Sequence, residues 1–244
     1  MIPRRAAMRL MMCSAVLPLL GGCDGAFERR PAALLARPQG IAGRIDPGES
    51  NLGSPSGREV LLYAPASLAA DGPSPLILSL HGAGNDARGG LFTQALADRF
   101  GALVLAPSSA GRVWDRAFGP DLTTIDMSLQ ETFRRARVDP SRIAVAGFSA
   151  GASYALGLGL ANGSLFSSIM AFSPGSIPDG GREGWPRVFI SHGVGDERLP
   201  IDQTSRRIAP VLRGEGYEVD YEEFDGGHTV PPEKLARAGD WLGW

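Results

Sequence analysis

The sequence predicts an α/β domain built on a mostly parallel sheet with helices on both faces. From about Arg58 to the C-terminus, short unbroken apolar runs alternate with longer stretches of helical spacing. Runs such as PLILSLHG and RIAVAGFS do not alternate polar with apolar, which is the mark of strands buried on both faces. Clusters of small and polar residues follow those runs rather than precede them, and the carboxyl edge of a parallel sheet is where ligands bind.

Taken in order, REVLLYAPA reads as a first strand and PLILSLHG as a buried second one. GGLFTQALADRFG reads as a helix and ALVLAPSS as the next strand. TTIDMSLQETFRRARV is helical in spacing, with its Thr/Asp-rich start as the cap, and RIAVAGFS is again a buried strand. Then come helix ASYALGLGLAN, strands LFSSIMAFS and RVFISHG, helix DQTSRRIAPVLRGEG, strand YEVDYEEF and a last helix PPEKLARAGDWL. There is no internal repeat, and residues 58–244 make one expected domain.

The 24 Lys and Arg against 26 Asp and Glu leave a formal charge of -2, with the signs interspersed. A nucleic-acid partner would need a clustered basic face, so that class is set aside. Residues 1–22 read as an export signal: Arg4, Arg5 and Arg9 precede the apolar run LMMCSAVLPLLGG, which is short for a bilayer span. Its end, LLGGC, resembles the lipobox of bacterial lipoproteins. That resemblance makes Cys23 a lipidated first residue of a membrane-anchored protein in the bacterial envelope, periplasmic or on the outer face. Residues 23–57, rich in Gly, Pro, Ser and Arg, read as a tether. Cys13 lies in the signal, so no intramolecular disulfide is expected. With no further thiol and no short spacing among His81, His192 and His228, no metal is expected either.

The chemistry centres on GFSAG. A serine hydroxyl needs a base and a stabilised oxyanion, and G-x-S-x-G between a strand and a helix exposes Ser149 on a sharp turn. The N–H of Ala150 and the positive end of the following helix then face the reacting centre. In this architecture the acid and the histidine follow the serine in chain order. His228 lies on a loop freed by Gly226 and Gly227, whereas His192 at the end of RVFISHG fits a structural role. Asp196 is the first choice of orienting acid, with Glu197 and Asp225 as rivals. LHGAGND offers close backbone approach to a substrate oxygen, and His81 within it reads as a shaping residue. The absence of G-K-[ST] argues against a phosphate loop.

LHGAGND, GFSAG, SHGVGDERLP and GGH, in this order, resemble the α/β-hydrolase superfamily, most closely the small carboxylesterase/phospholipase group and the polyhydroxyalkanoate-depolymerase-like esterases. The resemblance implies an α/β-hydrolase fold and a serine hydrolase acting on carboxylic esters or thioesters, in a small molecule or a polymer, through Ser149, Asp196 and His228, with no cofactor. It places oxyanion donors at the N–H groups of Ala83 and Ala150, and Trp114 in a substrate pocket. Ala150 stands where the small carboxylesterases carry glutamine, which leaves the acyl preference open. Only about a dozen residues separate IMAFS from RVFISHG, too few for a lid domain. An open site favours short acyl chains or a substrate presented at a surface. A peptidase of the same fold and an inactive envelope-binding lipoprotein are the alternatives.

Overall fold

A computed structural model describes residues 32–40, 45–54, 57–68 and 72–244; residues 1–22, read from the sequence as an export signal, and Cys23 lie outside them. One eight-stranded sheet forms the centre, in the order β1-β2-β4-β3-β5-β6-β7-β8. Its strands are β1 (Gly48–Asn51), β2 (Val60–Ala64), β3 (Ser74–Leu80), β4 (Leu103–Pro107), β5 (Val138–Phe148), β6 (Ser168–Phe172), β7 (Arg187–Gly193) and β8 (Val219–Phe224). β1 and β2 pair antiparallel at one edge and β2 pairs antiparallel with β4; all later pairings are parallel.

The helices are α1 (Ala87–Gly90), α2 (Gln94–Phe100), α3 (Pro120–Arg135), α4 (Ala150–Ala161), α5 (Ser205–Gly214) and α6 (Pro232–Leu242). Successive strand residues point to opposite faces, so β3 sends Leu76, Leu78 and Leu80 into one layer and Ile77 into the other. The first layer packs under α3, α4 and α5, with Leu129, Phe133, Leu156 and Leu212 in it. The second packs under α2 and α6, with Leu96, Ala97, Leu235 and Leu242. α4 is apolar all round because it is buried from Gly151 to Ala161 apart from Ser153.

The N-terminal boundary is the main correction to the sequence reading. Residues 23–57 were expected to form a tether, yet Ala32, Leu34 and Ala36 are 0%, 3% and 1% exposed and belong to the first core layer. They sit in a period-two segment whose opposite face carries the exposed Leu35. Asn162, at the end of α4, clamps them: its Oδ1 accepts from Leu34 N–H at 2.8 Å, and its Nδ2 donates to Ala32 and Leu158 carbonyls at 2.7 and 2.8 Å. Further on, GESN adds the edge strand β1 through its backbone alone, all four residues being exposed. Such a strand has no apolar pattern for a sequence to display.

Three helix readings also shift. GGLFTQALADRFG is broken into α1, a tight turn at Leu91–Thr93 and α2. α3 begins upstream of the Thr/Asp cluster, with Pro120 in its first turn and no side-chain cap. Asp121 instead turns its buried carboxylate onto the loop before the helix, accepting from Ala110 N–H and Asp115 N–H at 2.5 Å each. DQTSRRIAPVLRGEG opens with a separate short turn at Ile201–Gln203 before α5.

The Asn162 clamp gives a direct check. Asn162→Ala leaves buried backbone groups of residues 32–34 without partners, which costs about 2–4 kcal/mol. Urea denaturation of the variant should show that loss, whereas a true tether would show none.

Candidate active site

Ser149 sits at the junction of β5 and α4 with φ 56° and ψ -116°, a conformation that non-glycine residues rarely adopt and that costs about 1–3 kcal/mol. Packing imposes it. A Cβ at Gly147 would overlap the carbonyl of Gly151, and one at Gly151 would overlap the carbonyls of Leu80 and His81 at the end of β3. The two glycines therefore let α4 start tight against the sheet. The Ser149 N–H is tied to the Phe172 carbonyl at 2.9 Å, which leaves the hydroxyl projecting from the sheet edge.

His228, on the loop after β8, meets that hydroxyl: Nε2 to Ser149 Oγ is 2.8 Å. Its Nδ1 is 2.6 Å from Asp196 Oδ2. A carboxylate only accepts, so Nδ1 carries the proton and donates, and Nε2 accepts from the serine hydroxyl. Asp196, 4% exposed, uses Oδ1 to accept from Arg198 N–H and Leu199 N–H, both at 2.9 Å. Burial pushes its pKa up, but the Leu199 N–H and then His228 outweigh burial and hold it below the usual carboxylate value. Glu197 and Asp225 are exposed, and neither hydrogen-bonds His228.

The sequence reading left two contributors unrecognised. Gly193 ends β7 where a Cβ would overlap the carbonyls of Gly226 and Gly227, so its bare backbone admits the loop that carries His228. His192, expected to be structural, touches the acid itself. Fully buried, it places Nε2 at 2.9 Å from the Leu199 carbonyl and 3.1 Å from Asp196 Oδ2. Both neighbours are acceptors, so Nε2 bears the hydrogen, and Nδ1 accepts from the Ser205 hydroxyl at 2.6 Å. Burial pushes the His192 pKa down, keeping the ring neutral beside the carboxylate. The signal was present as HGVGD, but only the fold shows that the two side chains face each other.

Two cavities flank Ser149. The first, about 440 Å³, is walled chiefly by Ala83, Trp114, Tyr154, Pro178 and Leu199. Trp114 is held in place by its Nε1–H, which donates to the His81 carbonyl at 2.8 Å, and by ring contact with Tyr154. His81 is fully buried and pins the loop: Nε2 accepts from Ser109 N–H at 3.0 Å while Nδ1 donates to the Gly82 carbonyl at 2.8 Å. Ser153, one turn past Ser149, accepts from Gly175 N–H at 2.9 Å and Ser176 N–H at 3.3 Å, fixing the far wall. The whole segment 173–186 between β6 and β7 contains no helix.

At the floor between the cavities lie two backbone donors. Ala150 opens α4, where an N–H has no intrahelical acceptor. The Ala83 N–H makes no hydrogen bond among the described residues. The second cavity, about 460 Å³, lies on the His228 side, with Asn85, Phe148 and Arg198 in its wall. A larger groove of about 930 Å³ runs between residues 35–39 and α3, but its lining contains no histidine. Among the described residues no cluster of His, Cys, Asp and Glu could hold a metal ion.

The strand order and the serine on its strand-to-helix turn can now be set against known proteins. No family model and no curated protein matches the chain. Solved structures do. An esterase, PE8, superposes with a TM-score of 0.58 at 21% identity, covering 82% of this chain and 99% of that one. The S-formylglutathione hydrolase FrmB from Staphylococcus aureus gives 0.64 at 14% identity, covering 83% and 98%. The fold is that of the α/β-hydrolases. An acetyl xylan esterase from Aspergillus awamori gives 0.60 at 17% identity, covering 80% and 99%. At these identities the likeness describes the α/β-hydrolase chain path and its sheet edge, and the chemistry must be argued from the residues.

Two outcomes test the site. Gly193→Ala should displace the His228 loop and break its bond to Ser149; a misplacement of about 1 Å costs on the order of a hundredfold in reactivity. The rate of covalent labelling of Ser149 by a fluorophosphonate measures this directly. Stability should fall as pH drops below about 6.5, because the unfolded chain binds protons that buried His81 and His192, both with lowered pKa, refuse. A further fall begins below about 3.8, where the unfolded chain's carboxyl takes up a proton that Asp196, held lower in the fold, does not. Denaturation midpoints across pH should show both, and His192→Asn should reduce the first slope by up to about 1.4 kcal/mol per pH unit.

Proposed function

We propose that this protein is a serine hydrolase that cleaves carboxylic esters, thioesters included, through an acyl-enzyme. The observation that carries this reading is the unbroken hydrogen-bond chain from Ser149 Oγ through His228 to Asp196. As Ser149 Oγ bonds to the carbonyl carbon, its proton passes to His228 Nε2 and the carbonyl electron pair moves onto oxygen. Asp196 holds the imidazolium that forms. The N–H groups of Ala83 and Ala150 are the proposed oxyanion donors. When the tetrahedral species collapses, the bond to the leaving atom breaks and His228 Nε2–H protonates that atom. Water, deprotonated by the same nitrogen, then repeats the sequence and frees the acid and Ser149.

Trp114 belongs to the wall of the acyl pocket in this reading. A cavity of about 440 Å³ with aromatic walls and no covering helix suits short acyl chains. Proteins sharing the fold, two esterases and an S-formylglutathione hydrolase, are in keeping with acyl-transfer chemistry. We also propose export and lipidation at Cys23. Residues 24–31 separate that cysteine from the packed segment beginning at Ala32, and fully extended they reach about 25–30 Å. The catalytic domain would then work within that distance of a membrane surface.

Ser149→Ala should abolish turnover of p-nitrophenyl butyrate together with fluorophosphonate labelling; unchanged turnover would refute the reading. Asp196→Asn should lower kcat by about four orders of magnitude, while Asp225→Asn stays within about twofold, since the exposed Asp225 makes no bond to His228. Cys23→Ser should shift the protein from the membrane to the soluble fraction on centrifugation.

A further inference from the structure

We propose that the cavity on the His228 side is a leaving-group subsite for alcohols or thiols carrying an anionic group, with Arg198 as the residue that recognises the anion. This rests on the ester-hydrolase reading and deepens it.

Proton transfer decides which cavity takes which half of the ester. With the oxyanion on the Ala83 and Ala150 donors, the acyl chain and the leaving atom must point to opposite sides of Ser149. The leaving atom has to receive the proton from His228 Nε2, so it departs over the imidazole. His228 lines the second cavity and is absent from the first. The apolar cavity therefore holds the acyl chain, and the cavity of about 460 Å³ holds the leaving group.

The chemistry of that second wall is distinctive. Beside Phe148, Leu199, Ser149 and His228 its lining includes Arg198 and Asn85, and no Asp or Glu. Neither side chain makes a hydrogen bond or ion pair among the described residues. Several guanidinium groups elsewhere are matched, Arg206 with Asp202 and Glu223, Arg182 with Glu215, Arg134 and Arg135 with Glu131, whereas Arg198 keeps its donors free beside Ser149 and His228. Asp196, the acid nearest Arg198 in the active site, has both oxygens engaged by Arg198 N–H, Leu199 N–H and the two histidines. A guanidinium pairs with carboxylate or phosphate through parallel N–H donors, and a carboxamide adds a neutral one.

Arg198 is also held in register with the chemistry. Its backbone N–H is bound at 2.9 Å by Oδ1 of the carboxylate whose Oδ2 orients His228. The backbone of Arg198 and the ring of His228 thus hang from a single carboxylate, which keeps the root of the cationic side chain beside the proton donor.

Two esters with the same acyl group and leaving groups of matched shape isolate the effect: 4-carboxyphenyl butyrate and 4-carbamoylphenyl butyrate. In the wild-type protein kcat/KM for the charged ester should exceed that for the neutral one by about tenfold, and about 0.5 M salt should narrow the gap. Arg198→Gln should bring the ratio close to one by lowering kcat/KM for the charged ester more than for the neutral one, and Arg198→Lys should keep a reduced preference. Arg116→Gln, on the rim of the acyl cavity, should leave the ratio unchanged. Equal turnover of the two esters by the wild type, or a preference that survives Arg198→Gln, overturns the subsite while the hydrolase reading stands. Hydrolysis of neither ester, on protein that is folded, overturns the hydrolase reading and the subsite with it.

Discussion

The carboxylate of Asp196 is the point on which the site is hung. Its four contacts come from three stretches of chain: His192 at the end of β7, the N–H groups of Arg198 and Leu199 in its own loop, and His228 after β8. A buried negative charge is costly unless donors surround it, so these groups are drawn to one place by the need to satisfy it. Gly193 removes the steric obstacle that would keep the His228 loop away. The result is a base whose ring orientation follows from the acid, and an acid whose position follows from the sheet.

Opposite that carboxylate Ser149 is placed by a different constraint, close packing of α4 against β3 and β5. The strained backbone of Ser149 persists because the glycines on either side leave no roomier path. Strain and electrostatics meet in the 2.8 Å contact between Ser149 Oγ and His228 Nε2. The sides of the site then diverge in character, with aromatic and aliphatic walls toward Trp114 and Tyr154 and donor side chains toward Arg198 and Asn85. In the proposed ester hydrolysis, an asymmetric site of this kind would distinguish the two halves of the substrate before any bond is broken.

Much of this was legible in the chain. Unbroken apolar runs such as LILSL and IAVAGF mark central strands because both faces of a parallel sheet are covered. The elbow could be read from GFSAG because only glycine tolerates the approach at positions 147 and 151. The edge strand β1 could not, since four exposed residues pair by backbone and leave no pattern. Ala32, Leu34 and Ala36 were hidden by a Pro- and Arg-rich setting, although their period of two was there to see.

The sequence by itself determined the α/β class, the turn that exposes Ser149 and the chain order of serine, acid and histidine, because these depend on local sterics and burial periodicity. Only the tertiary structure decided that Asp196 rather than Glu197 or Asp225 faces His228, that His192 supports the same carboxylate, and that Arg198 lines one cavity with His228. Those relations join residues from separate strands and loops. Their distances follow from how the carboxyl ends of β5, β7 and β8 lie side by side in the sheet, which no single stretch of sequence encodes.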